Sequence, residues 1–314
     1  MNKNIPEKYM VTERGKWKPG TPRSIQFPAT ISTLKTYMGF KKPDYPIYVH
    51  GKEWKGDRDY FFQMGVSTEG FGLCYGMDEL IESGKWNNEP LDDCFLSEGI
   101  EYRLVADDSI KIKDDTLNIE TIKNEVVNHL NKDLPVILIR KHRVGRFKIA
   151  TGYIDFGNVL MARGGSGKVY GFNKATTEWH DWIHKICAVI FIDDITEPID
   201  RKEVVLRALS RAYAMLTEET QQFNEYGYGK PMWDKWISRL DNDNNYKAKS
   251  SILKFMVPEK FDLAERRMFG AEFLNQAQEI TNEDFSVASQ AFCDIHDKMW
   301  IVHWMVKGKN EGNY

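Results

Sequence analysis

Cys74 is the residue whose surroundings first suggest catalysis. It follows a glycine-rich turn in the stretch GFGLCYGMDELIESG, residues 70–84, and the pattern after it predicts an amphipathic helix. A thiol at a helix N-terminus has a lowered pKa, because the positive end of the helix dipole stabilises the thiolate. The stretch therefore indicates a cysteine nucleophile, although a lone cysteine is more often a small buried hydrophobic residue.

A proton acceptor and an orienting acid follow Cys74 along the chain. His142 and Asp155 complete the order Cys, His, acid, which is the chain order of papain-like enzymes. In that chemistry the thiolate attacks, the imidazole holds the proton and the acid orients the imidazole. A chain with 4 cysteines and 7 histidines also supplies such triples by chance, so the order alone leaves both interpretations open.

Two further motifs favour structural interpretations. The stretch GGSGKVYG, residues 164–171, lacks the spacing of a phosphate-binding P-loop and has no predicted helix behind it, so it is interpreted as a glycine-rich surface turn. His180 and His184 stand four residues apart in EWHDWIH, but Asp181 replaces the glutamate of a zinc-binding HExxH motif. This stretch is interpreted as a packed aromatic turn, and we expect neither a metal nor a cofactor.

Composition excludes several classes of function. The 314 residues are 42% hydrophobic and 28% charged, with a formal net charge of −3, which is ordinary for a globular protein and unlike a basic nucleic-acid-binding domain. No apolar run approaches the roughly 18 residues of a membrane helix, and the N-terminus lacks the apolar core of a signal peptide. The four cysteines lie far apart, so we expect a reduced, cytoplasmic protein without membrane or nucleic-acid partners.

Hydrophobic periodicity predicts an α+β protein with a helical C-terminal region. Strands and helices mix up to about residue 195, and only helical periodicity follows. We therefore predict an irregular arm over 1–24, an α+β domain over 25–197 and a helical domain over 198–314. Residues 59–67 fit either a helix or a strand. Helices are predicted over 27–39, 73–83, 119–131, 200–219, 232–240, 262–280 and 284–306, and strands over 134–141, 146–155, 158–163 and 185–193.

Five segments, taken in order, resemble a known bacterial family. They are FPATISTLKTYMG, YFFQMGVSTEGF, LPVILI with IATGYIDFGNVLM, EWHDW, and YGYGKPMWDKWISRL. Their order and spacing are similar to those of the proteins related to the butirosin biosynthesis protein H. The resemblance implies a papain-like N-terminal half, close to the bacteriocin-leader-processing cysteine peptidases and built of helices packed on an antiparallel sheet, with a helical C-terminal half.

The resemblance also implies positions for the catalytic residues, and this chain departs from the family at each of them. The nucleophilic cysteine of the family's FP-x-C pattern is replaced by Thr30. The histidine position falls near Arg146, about four residues after His142, and the acid position reads Met161-Ala162-Arg163. An unassisted threonine hydroxyl is a poor nucleophile, and an arginine cannot accept a proton but binds carboxylates or phosphates.

The leading hypothesis is a papain-like cleft that binds a small acyl or peptide-like metabolite. Its wall would include the segment Met64–Phe71, and the residues expected to bind the ligand are Glu69, Arg146, Tyr153 and Asp155, beside Thr30. The alternative is an active acyltransferase or amide hydrolase, with Cys74 and His142 or with Thr30 as catalytic residues. A homodimer through the C-terminal helices is a further hypothesis, weighed against interior packing of the residues Trp233, Trp236, Trp300 and Trp304.

Overall fold

A mixed β-sheet organises the N-terminal part of this computed structural model. The structure describes residues 6–12, 26–39, 45–49, 52–71, 89–110, 113–141, 147–164, 177–217, 222–223, 226–227 and 246–306. The strands are β1 (Tyr9–Met10), β2 (Tyr45–Val49), β3 (Lys52–Gly56), β4 (Ile100–Ala106), β5 (Asp115–Thr116), β6 (Val136–Arg140), β7 (Phe147–Ile154), β8 (Val159–Gly164), β9 (Thr177–His180), β10 (Ile186–Ile195), β11 (Gln222–Phe223) and β12 (Tyr226–Gly227).

Helices alternate with these strands up to about residue 200, and long helices predominate after it. They are α1 (Gln26–Met38), α2 (Arg58–Val66), α3 (Glu89–Leu96), α4 (Ile119–Leu130), α5 (Arg201–Thr217), α6 (Tyr246–Thr281) and α7 (Ser286–Val306). Among the described residues, none of the helices combines the length and apolar composition that crossing a bilayer requires.

The central sheet has the strand order β5-β4-β10-β6-β7-β8-β9, and β1 pairs with β7. All its pairs are antiparallel except β4 with β5, so the antiparallel sheet expected from the family resemblance contains one parallel pair. Gly152 permits the pairing of β1, since a Cβ there would lie 2.4 Å from the Tyr9 carbonyl oxygen. The α+β class is confirmed.

The hairpin between β7 and β8 turns through three consecutive residues with positive φ. Asp155, Phe156 and Gly157 have φ values of 49°, 51° and 86°. The carbonyl oxygen of Gly157 accepts a hydrogen bond of 3.0 Å from the indole of the buried Trp182. The predicted turn at 155–157 and the predicted packing of Trp182 are both confirmed.

One side of the sheet is covered by α4, whose apolar stripe forms a core with β6, β7 and β10. Asn118 caps the helix by accepting a hydrogen bond from the Glu120 amide. The residues of this core include Ile122, Val126, Val127, Leu130, Val136, Leu138, Ala150, Tyr153, Leu160, Val189 and Phe191. The helical period of the sequence predicted this stripe correctly.

His129, near the end of α4, serves as a buried hydrogen-bond acceptor. Its Nε2 accepts from the Ile192 amide at 3.2 Å, just beyond the last residue pair of β10 with β6. Burial, reinforced by the charge of Lys132 and partly opposed by Asp193, lowers the pKa of His129 to about 4. The imidazole is therefore neutral in the folded protein at neutral pH.

Stability is expected to fall between about pH 6.5 and pH 4 because of His129. The unfolded state binds a proton near pH 6.5, whereas the folded state resists it until about pH 4, so acidification favours unfolding. The loss should be about 2 kcal/mol, allowing for the ring's partial access to solvent. Urea unfolding of wild type and His129→Gln at pH 7 and pH 4.5 measures it; equal pH dependence in the two proteins would contradict the prediction.

The chain divides into two compact units that are not continuous in sequence. The first unit comprises Met1–Gln63 and Met77–Asp200, and the second comprises Met64–Gly76 and Arg201–Tyr314. The second unit thus includes a short segment from the N-terminal half of the chain. In this unit α6 packs along α7, and Ser289 on α7 donates to Asn275 on α6 at 2.9 Å.

The predicted helices and strands that fall on described residues differ from the structure mainly in length, but the sequence predictions missed β1 to β5, β9, β11, β12 and α3, and β1 lies in the arm predicted to be irregular. The ambiguous segment 59–67 is helical, since it forms most of α2, and the helix predicted over 262–280 begins at residue 246. The helices predicted over 73–83 and 232–240 lie outside the described residues. The predicted strands over 134–141, 146–155, 158–163 and 185–193 are confirmed within two residues at each end.

Candidate functional site

Helix α1 is enclosed on all sides although nearly half of its residues are polar. Every residue from Phe27 to Met38 is buried. A helix that is buried all round normally carries apolar residues throughout. The buried polar residues of α1 are Thr30, Ser32, Thr33, Lys35 and Thr36. Their desolvation must be offset by partners, so α1 must lie among groups that supply hydrogen bonds or opposite charges.

The first turn of α1 meets the first residue of β7 through two aromatic rings. The ring centroids of Phe27 and Phe147 are 5.4 Å apart. Side chains alternate along a strand, so Phe147 and Ile149 share the side that faces α1, whereas Lys148 points to the other side. Phe147 is therefore the first described residue of β7 that faces α1. Its aromatic ring cannot accept a proton.

Thr30, which the resemblance places at the nucleophile position, lies one helical turn after Phe27. Residues three apart share one side of a helix, so Thr30 lies on the side of α1 that carries the aromatic contact. Its relative exposure is 0%. In this conformation, solvent does not reach the hydroxyl.

Lys35 is the centre of a buried network of charges between α1, α2 and the turn after α3. Its Nζ donates to Asp59 Oδ1 at 2.5 Å and to Glu98 Oε2 at 2.6 Å. The Gln63 amide donates to the other oxygen of Glu98 at 3.2 Å and to the Cys94 carbonyl oxygen at 3.3 Å. One buried ammonium thus joins two carboxylates from segments far apart in sequence.

A third carboxylate, that of Asp57, links α1 to the start of α2 beside this network. Ser32 Oγ donates to Asp57 Oδ2 at 2.8 Å, and the Tyr60 amide donates to Asp57 Oδ1 at 3.1 Å. Asp57 therefore accepts at the N-terminus of α2, where a negative charge is favoured by the helix dipole. Together, the two groups fix α1 against the start of α2.

Sequence reasoning did not single out Lys35, Asp59, Gln63 or Glu98. One signal was available, since Lys35 lies within the apolar period Ile31, Leu34, Met38 of a helix, and a lysine there needs a buried partner. The identity of the partners was beyond the sequence, because Glu98 is 63 residues away.

The structure places the other predicted site residues in separate environments. Tyr153 is buried in the core under α4; its hydroxyl donates to Asn131 Oδ1 at 2.8 Å, and burial raises the pKa of the phenol. Asp155 is exposed in the hairpin turn and accepts from the Asn158 amide at 2.9 Å. Cys74, His142 and Arg146 lie outside the described residues.

Glu69 belongs to the second unit, where it forms a buried ion pair with Arg266 of α6. Three arginines bind the backbone at the end of α2 and the following turn: Arg211 donates to the Val66 carbonyl, Arg266 to that of Glu69 and Arg267 to that of Gly70. The segment expected to form a cleft wall is therefore bound by α5 and α6.

Glycines allow the backbones within the second unit to approach closely. A Cβ at Gly65 would lie 1.9 Å from Phe273 Cγ, and one at Gly70 would lie 2.9 Å from Gly270 Cα. The stretch MGVSTEGF thus has a structural use for both of its glycines and for its glutamate. The paired arginines in AERRMFG of α6 were the sequence signal for this interaction.

No cluster of His, Cys, Asp or Glu suited to a metal ion occurs in the part of the chain that the structure describes. His180 ends β9 and His184 lies in the turn Trp182–His184, so the two do not share a helix. On α7, Trp300 donates to His296 Nε2 at 2.8 Å, while His296 Nδ1 lies 2.8 Å from Asp297. The side chains of Trp233, Trp236 and Trp304 lie outside the described set.

Comparisons with protein-family models, curated proteins and solved structures found no match to this chain. The functional interpretation therefore depends on the geometry of the chain itself and on the resemblance of its segments.

Proposed function

We propose that this chain is a papain-like scaffold, similar to the proteins related to the butirosin biosynthesis protein H, that binds a small acyl or peptide-like metabolite without cleaving it. The binding of a metabolite follows from the resemblance, and the observation that favours binding without cleavage is the contact between Phe27 and Phe147 beside the buried Thr30. In papain-like relatives, these two segments supply the nucleophile and the histidine.

Acyl transfer needs a nucleophile that the substrate can reach and a base within about 2.6–3.2 Å of it. Thr30 is enclosed, and the first described residue of β7 that faces α1 is an aromatic hydrocarbon. The described parts of α1 and β7 therefore supply neither an accessible nucleophile nor a base, and so they do not support the covalent step. Burial of the polar network around Lys35 favours a rigid scaffold for such a site.

Ligand binding without turnover is tested with three probes: N-acetylglycine, N-acetylglycylglycine and the thioester S-acetylpantetheine. We expect at least one of them to raise the melting temperature and to be recovered unchanged by mass spectrometry, because a ligand that binds the folded state stabilises it. Absence of any shift at millimolar probe would contradict the proposal. If wild type forms product, Cys74→Ala does not and the matched control Cys293→Ala does, the alternative of an active acyltransferase or hydrolase would be established.

The papain-like placement has a separate test in the double variant Thr30→Cys/Phe147→His. If α1 and β7 present these positions to each other, the introduced imidazole should lower the pKa of the introduced thiol. The ultraviolet absorbance of the thiolate, followed against pH, compares the double variant with the single variant Thr30→Cys and needs no reagent to reach the enclosed position. Equal thiol pKa values in the two variants would contradict the papain-like placement.

A further inference from the structure

Two basic residues lie together where β6 ends and β7 begins. Lys148 pairs with Leu138, and Arg140 follows two residues later on β6, so Lys148 and Arg140 lie on the same side of the sheet. This is the side opposite to Phe147, which contacts α1. The two cations are therefore separate from the proposed acyl site.

The ammonium of Lys148 is half-buried and forms no hydrogen bond or ion pair with any residue that the structure describes. Burial, followed by the positive charge of Arg140, lowers its pKa. The three N–H donors of this ammonium are partly removed from water without gaining an acceptor, which is unfavourable. The positive charge of Arg140 nearby adds to the free-energy cost. An anion placed between the two groups would remove both penalties.

The residues next to Lys148 on its side of the sheet are small. Gly164, directly opposite Lys148 on β8, has no side chain, and the next pair along the same side is Ala150 with Ala162. The guanidinium of Arg140 lies 5.8 Å from the ring centroid of Trp179 on β9. The ring holds the guanidinium by a cation–π contact and adds a flat apolar surface beside the two charges.

The connections that leave this end of the sheet contain no acidic residue in the sequence. Residues 142–146 read HRVGR and residues 165–176 read GSGKVYGFNKAT, so both add basic groups to the chain next to Lys148 and Gly164. Their placement lies outside the described residues. The sequence thus offers Lys148 no carboxylate from either neighbouring connection.

We infer that Arg140 and Lys148, with Trp179 beside them, bind the phosphate group of a small molecule. A phosphate carries up to two charges and several acceptor oxygens, so one group can accept hydrogen bonds from Lys148 and Arg140 together, and it attracts a pair of cations more strongly than a carboxylate does. The site does not depend on the function proposed above, because it uses the other side of the sheet.

Inorganic pyrophosphate titrated into the full chain in phosphate-free buffer tests the site by calorimetry. We expect saturable binding that weakens about tenfold or more in Lys148→Met, because a hydrogen bond to a charged group is lost. Lys298→Met removes an exposed charge from α7 and should leave binding unchanged. Acetate at the same concentration should bind at least tenfold more weakly than pyrophosphate.

Thermal unfolding separates a binding role of Lys148 from a structural one. Without ligand, Lys148→Met should be at least as stable as wild type, and pyrophosphate should raise the melting temperature of wild type alone. Equal binding by wild type and Lys148→Met would overturn the inference, as would no binding at millimolar pyrophosphate. The inference would also be overturned if the protein sedimented with phosphatidylcholine vesicles containing phosphatidic acid but did not bind pyrophosphate in solution. The phosphate would then belong to a lipid surface.

Discussion

Lys35→Met is expected to lower the free energy of unfolding by about 3–5 kcal/mol, because it leaves two carboxylates buried without their cation. Lys35 has 0% relative exposure, and its partners Asp59 and Glu98 are also buried. The removed ammonium binds both of them within 2.6 Å. Urea unfolding of wild type and variant measures the loss, since methionine keeps the length of the side chain but not its charge.

The control for this prediction is Lys113→Met, which breaks the ion pair with the exposed Asp108. Solvent screens such a surface pair, so its loss should change the free energy of unfolding little. Neutralising the partners as well, in Lys35→Met/Asp59→Leu/Glu98→Met, should recover most of the lost stability, because a buried ion triad can be replaced by apolar side chains of similar size. A loss below about 1 kcal/mol in the single variant would contradict the prediction.

Arg266→Met is expected to destabilise the second unit by a similar amount, about 3–5 kcal/mol, since it leaves the carboxylate of Glu69 buried. Arg266 also donates to the Glu69 carbonyl at 2.9 Å, so a backbone acceptor loses its partner too. The matched control is Arg207→Met on α5, whose ion pair with Glu203 is exposed and joins residues four apart. That control should change the unfolding free energy by about 0.5 kcal/mol or less.

The Arg266 variant also decides between two roles of Glu69. If Glu69 serves the ion pair, Glu69→Gln destabilises the protein and the double variant Glu69→Gln/Arg266→Met costs less than the sum of the singles. If Glu69 binds a ligand, as the sequence predicted, Glu69→Gln leaves stability unchanged and alters only ligand binding. Additive losses in the double variant would contradict the ion pair.

Elements with strong local signals were predictable from the sequence. Helix α4 has its cap at Asn118 and an apolar stripe of helical period, and the hairpin of β7 and β8 has Asp-Phe-Gly between two apolar runs. For α2, the run Tyr60-Phe61-Phe62 gave no period, because a helix enclosed on all sides has no polar face to mark.

The candidate site was harder to predict from the sequence, because its geometry depends on contacts between distant segments. The resemblance predicts site residues at Thr30 and near the start of β7. Which residue of that strand faces α1 depends on the alternation of side chains and on the contact with Phe27. Among the described residues, Phe147 is the first that does so. Glu69 was predicted to bind a ligand, because the sequence does not show its ion pair with Arg266, which is 197 positions away. The stretch around Cys74 lies outside the described residues, so its role as a nucleophile stays a prediction.

The assignment of residues 64–76 to the second unit has a consequence for synthesis of the chain. Glu69 and Gly70 leave the ribosome 197 residues before Arg266 and Arg267, the side chains that bind them. Until α6 is made, the carbonyls of Glu69 and Gly70 lack these donors, so the second unit is completed only late in translation. A fragment starting at Arg201 would hold its buried arginines without their acceptors, which makes the junction near residue 200 a poor place to divide this protein.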